Sequence, residues 1–160
     1  MLTMPLTAMD MCIYQRPNLA GQTEILTHME ERRIVETRPD VLLEDTLIYF
    51  GSNLKTRKQS AKVLTGQKHH LPIIIEATLE WMYFPVHQKK THFQLYINHK
   101  MMYHFEGNKD KTIIYFVDDQ QIEVQQSISF IKKQHHKALL LSDLQTKIIK
   151  RQLHLSNYRV

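Results

Sequence analysis

Gly51-Ser52-Asn53-Leu54-Lys55-Thr56-Arg57-Lys58, Leu71-Pro72-Ile73-Ile74-Ile75-Glu76 and Trp81-Met82-Tyr83-Phe84-Pro85 follow one another between residues 51 and 85. Together they mark a change from helical to extended chain. Upstream, Pro39 opens a run in which Val41, Leu42, Leu43, Leu47, Ile48 and Phe50 recur at helical spacing. Gly51 ends that helix, as a residue free to take a positive φ does. Ser52 is placed to cap a second helix by accepting from the next turn's N–H groups. Leu54, Ala61 and Leu64 give this helix its apolar stripe, and Gly66 stops it. Lys55, Lys58 and Lys62 share one face at spacings of three and four, with Arg57 beside them.

From Leu71 onward the runs are short and rich in β-branched and aromatic residues. Ile73–Glu76, Trp81–Phe84, Phe93–Asn98, Met101–Phe105, Thr112–Val117 and Gln121–Gln125 are the expected strands, with Glu24–Met29 and Arg33–Thr37 as shorter strand or loop. Asn98-His99-Lys100 and Asp118-Asp119-Gln120 are expected as turns between antiparallel neighbours. Ser127 caps a helix bearing Ile128, Ile131, Ala138 and Leu139. Ser142, with Gln145 three residues on, has the form of a capping box that starts a last helix through Leu153. The fold class expected is α+β, an antiparallel sheet of short strands flanked by helices, with C-terminal helices. Residues 1–160 are read as a single domain, a size that buries a real core.

Charge is partitioned along the chain. Residues 1–50 carry four arginines against eight acids, and residues 69–125 five lysines against seven acids. Between them, residues 51–68 hold Lys55, Arg57, Lys58, Lys62 and Lys68 with no acid. Residues 126–160 hold five lysines and two arginines against Asp143 alone. Two basic blocks separated by acidic sequence are the electrostatic pattern of a polyanion binder. A helix start at Ser52 and Asn53 followed by Lys55, Arg57, Lys58 and Lys62 offers N–H donors and positive charge to a phosphate. Arg57 stands out, because its planar fork suits base edges or a narrow A-tract minor groove. The second block, chiefly Lys132, Lys133 and Lys137, either extends a phosphate footprint or forms a solvated helix face.

Other chemistries find little support. The ten histidines, among them the adjacent pairs His69-His70 and His135-His136, lack the helical i, i+4 or Cys/His knuckle spacing of zinc sites. No phosphate loop, dinucleotide fingerprint, nucleophile elbow or His-Glu-x-x-His motif is present, so neither a catalytic residue nor a cofactor is expected. The strand aromatics are better explained as core than as stacking platforms. A single cysteine, Cys12, cannot form an internal disulfide, which fits a reducing cytoplasm. No apolar run approaches the ~20 residues of a membrane-spanning helix, and the first residues lack the pattern of a signal peptide.

The order of these elements resembles the ComK family, the competence transcription factors of Gram-positive bacteria. Phe50-Gly51-Ser52 matches the family's aromatic-Gly-Ser, Arg57-Lys58 its Arg-Lys pair, and Pro72-Ile73 and Phe84-Pro85 its two strand markers. Pro39, Tyr96-Ile97-Asn98-His99, Phe116, Ser127, Gln134 and Lys137 fall in line, so the resemblance is strongest over residues 38–141. Thr56 stands where the family has glycine, Leu47-Ile48 where it has Cys-Arg, Gln94 where it has cysteine, and Asp118-Asp119 where it has Asn-Gly. The resemblance implies an activator of competence (DNA-uptake) genes that binds A/T-rich promoter boxes of double-stranded DNA, largely through the minor groove, as a homo-oligomer. It also implies RNA polymerase and a proteolytic adaptor as partners, and a cytoplasmic, nucleoid-associated location. The alternative is a shortened, non-activating relative that modulates a full-length member by protein contact. Thr56 poses a local question: it lies either in a regular helix or at a strained positive φ that the family's glycine would relieve.

Overall fold

The computed structural model describes residues 5–16, 21–87 and 94–156. The chain runs β1 (Asp10–Gln15), β2 (Thr23–Thr27), β3 (Arg33–Val35), α1 (Pro39–Ile48), α2 (Leu54–Thr65), β4 (Ile73–Glu76), β5 (Trp81–His87), β6 (Gln94–Asn98), β7 (Met102–Gly107), β8 (Thr112–Phe116), β9 (Gln121–Val124) and α3 (Ile128–Ser156). The strands form two antiparallel sheets, a six-stranded one in the order β3-β2-β1-β6-β5-β4 and a three-stranded one in the order β7-β8-β9. The architecture is α+β, as the sequence predicts.

Alternation along the large sheet sorts its side chains onto two faces. Ile13, Ile25, Ile73, Ile75, Tyr83 and Tyr96 pack with Leu42, Leu43 and Leu47 of α1. Cys12, Leu26, Phe84, Val86, Leu95 and Ile97 point the other way. They meet Ile131, Ala138 and Leu141 of α3 and Ile114, Phe116 and Val124 of the small sheet. The sheet is therefore covered on both sides. This explains why β1 escaped the sequence reading: Asp10 to Ile13 are all buried, so no polar residue alternates with the apolar ones. β1 pairs with both β2 and β6 and joins the N-terminal hairpin to the strands after α2.

Three sequence expectations are corrected. Asn98-His99-Lys100 does not turn a hairpin. A 3₁₀ turn at His99–Met101 instead carries the chain from the large sheet to the small one. Both edges of β6 are already taken by β1 and β5, and the Asn98 amide donates to the carbonyls of Ala8 and Asp10. Ser142 does not start a new helix either. α3 runs 29 residues without a break, because neither glycine nor proline interrupts it. Ser127 does cap it, accepting from the Phe130 N–H at 3.1 Å. Finally, Asn53 rather than Ser52 caps α2, its side chain accepting from the Thr56 N–H at 2.8 Å. The Ser52 N–H instead donates back to the Leu47 carbonyl, closing the end of α1 around Gly51 at φ +68°. Thr56 thus sits in a regular first turn. Phe93 and His92 lie outside the described residues.

Candidate nucleic-acid interface

Helix α2 lies along the outer edge of the large sheet, with Ala61 buried and Leu64 against the core. This leaves Lys55, Lys58 and Lys62 exposed on the opposite side. Arg57 behaves differently. Its guanidinium turns inward and donates through Nη2 to the Ile75 carbonyl of β4 at 3.1 Å, with Nε buried alongside. The start of α2 is also occupied. The Leu54 N–H donates to the Glu44 carboxylate of α1 at 2.8 Å, and Asn53 takes the Thr56 N–H. Two of the first three N–H groups, and the favourable pole of the helix dipole, are therefore already satisfied from within the chain. The face left to an outside anion is the lysine row, and Ser52 and Asn53 serve helix termini.

The second basic block is brought to the first by α3. Gln134, only 1% exposed, donates from Nε2 to the carbonyls of His70 at 2.9 Å and Pro85 at 2.7 Å. One turn on, Lys137 Nζ donates to the His69 carbonyl at 3.0 Å. These bonds pin the connection between α2 and β4, which leaves the helix through Gly66 at φ +71°. Lys132 and Lys133 stay exposed on the same part of α3.

A cleft of 340 Å³ opens beside this junction. Its origin lies in strand lengths. β4 begins at Ile73, opposite Tyr83, so the Pro85–His87 end of β5 has no strand on its outer side. Pro85 has no N–H to leave unpaired there, and Gln134 takes its carbonyl. Lys58 and Lys68 stand at the cleft with His69, His70 and His87, above a floor that includes Pro85, Val86 and Tyr96. Among the described residues no carboxylate lines it. Burial first, then the positive charge of Lys137, holds His70 below the usual imidazole range. Lys137 is itself lowered by burial and by Lys133. Cations gathered without a counter-ion repel one another, and a bound anion relieves that cost.

The chain matches the family model described as ComK protein over residues 5–152. It belongs to the ComK family. That membership places it among competence-related transcription factors. No curated protein and no solved structure matches it significantly. The family markers quoted from the sequence have structural work here: Gly51 closes α1, Phe84 fills the core, Pro85 forms the edge of the cleft, and Gln134 and Lys137 tie α3 to it. Sequence reasoning found Lys58 and Lys137 but not Lys68, His69, His70 or His87, whose convergence depends on long-range contacts. For Lys68, His69 and His70 the one sequence signal was the acid-free run from Lys55 to His70, and His87 had none.

Among the described residues no group of three or more His, Cys, Asp or Glu side chains is arranged to hold a metal ion. Cys12 is buried, and burial pushes its thiol pKa up. Among the described residues no helix is long and apolar enough to cross a membrane. Most strand aromatics are core: Trp81, Tyr83, Phe84, Tyr96 and Phe116 are buried. On the small sheet Phe105 and Tyr115 are only partly buried, and Tyr103 is 59% exposed and close to His104 and Tyr115.

Proposed function

We propose that the chain is a non-catalytic transcription activator of competence genes that binds A/T-rich duplex DNA as a homo-oligomer. The observation that carries this reading is the meeting of two basic blocks, distant in sequence, where Gln134 and Lys137 of α3 bond the His69–His70 connection beside the cleft that Lys58 and Lys68 line. Lys58, Lys62, Lys68, Lys132 and Lys133 supply exposed charge for backbone phosphates, and such contacts position a protein without reading sequence. RNA polymerase and a proteolytic adaptor follow as partners from the family.

The inward turn of Arg57 favours a second reading, in which sequence discrimination is weak and the chain acts by joining another family member. Fluorescence anisotropy of purified protein on an A/T-box duplex and a scrambled duplex separates the two. The activator reading expects at least about a tenfold preference for the A/T box, equivalent to roughly 1.4 kcal/mol. Equal, weak binding to both duplexes would sustain the partner reading instead.

A further inference from the structure

We propose that the cleft between α2, the 66–70 connection and β5 is a binding site for a phosphate group, held by Lys58, Lys68, His70 and His87. The volume, 340 Å³, lies at the lower end of small-ligand sites and accommodates a phosphate with part of its sugar. The wall chemistry is one-sided. Lys58 faces the cleft from α2, Lys68 and His69 from the connection, and His87 from β5, while Lys137, with Lys133 beside it, approaches from α3. Carboxylates are absent from this set. Ammonium groups and imidazoles are the donors that a phosphate requires.

The site is also held in shape. His70 has a left-handed backbone, φ +51°, that a non-glycine residue adopts at a cost. The Gln134 bond to its carbonyl fixes that conformation, and the ring packs between His87 and Phe130, with centroids 5.9 and 5.6 Å away. Burial, then the neighbouring positive charge of Lys137, disfavours the protonated form of His70. A phosphate beside it favours the protonated form, so binding takes up a proton and tightens as pH falls. The phosphate source is either the DNA backbone, in which case the inference rests on the DNA-binding reading, or a free nucleotide.

Two measurements on the full chain test this. The first is duplex anisotropy at fixed ionic strength between pH 8 and 6. Log affinity should rise by about 1 per pH unit per coupled proton, His70→Gln with His87→Gln should flatten the rise, and Lys58→Gln with Lys68→Gln should weaken binding about tenfold or more. The second follows histidine ring proton resonances at pH 7 on adding inorganic pyrophosphate. The His70 and His87 signals should move, and the lysine double variant should abolish the movement. Duplex binding that both double variants leave intact, in strength and pH slope, overturns the cleft and spares the DNA reading. Failure to bind duplex, with pyrophosphate still moving the His70 and His87 signals, defeats the DNA reading and leaves a free phosphate as the ligand. Response to neither probe overturns the proposal.

Discussion

Arg57 and Lys58 are neighbours in sequence with opposite fates. On α2 a step of one residue turns a side chain by about 100°. Lys58 therefore faces the cleft while Arg57 reaches under the helix to the Ile75 carbonyl. Removing the guanidinium leaves that carbonyl without its partner and opens a gap between α2 and β4. Arg57→Ala should lower stability by about 1–2 kcal/mol, read as a shift of the urea midpoint. Lys58→Ala should leave the midpoint within about 0.5 kcal/mol, since an exposed lysine holds little of the fold. An Arg57→Ala protein with unchanged stability and lost preference for A/T-rich duplex would place this residue at the DNA bases instead. Residue type and period made the basic helix legible, but not which cation turns inward, because that depends on the edge strand lying beneath it.

At the scale of elements, α3 is where the sequence and the structure part most clearly. Ser142 and Gln145 have the spacing of a capping box, yet a cap requires a non-helical residue, and Leu139 to Leu141 give the chain no reason to leave the helix. Ser142→Ala should accordingly be neutral or stabilising by up to about 0.5 kcal/mol in thermal unfolding. A loss near 1 kcal/mol would signal a real N-cap there. Docking of α3 also carries a pH dependence. His99 Nε2 and His135 Nδ1 lie 3.1 Å apart between the turn after β6 and the helix. Burial, then the neighbouring His135, pushes His99 down to about 4. The unfolded chain binds that proton near 6.5 and the folded one resists it, so stability is complete above 6.5 and is lost as pH falls towards 4. His70 and His135, also lowered chiefly by burial, act with the same sign. Stability should drop by about 1–2 kcal/mol between pH 7 and 5, after allowance for partial solvent access. His99→Gln should remove most of that difference, measured as the change between the two pH values and not as absolute stability. An unaltered difference in the variant would refute the assignment.

For the whole molecule, the sequence gives the class and most strands, because period and turn chemistry are local properties. It does not give the division into two sheets, since nothing near Asn98 announces that both edges of β6 are claimed by strands remote in sequence. The candidate site follows the same rule. Its charge was legible as two blocks, while its position was not, because Gln134 and Lys137 reach their partners across 64 and 68 residues. If those blocks act as one polyanion-binding surface, the salt dependence of duplex binding measures it most directly. For a footprint of ~5–8 phosphates, log affinity should fall against log salt with a slope of roughly −4 to −7. Lys58→Gln with Lys62→Gln should reduce the slope by about 1–2, and Lys132→Gln with Lys133→Gln should do the same from the other block. A wild-type slope near zero, or a slope that responds to one pair and ignores the other, would contradict the joined surface.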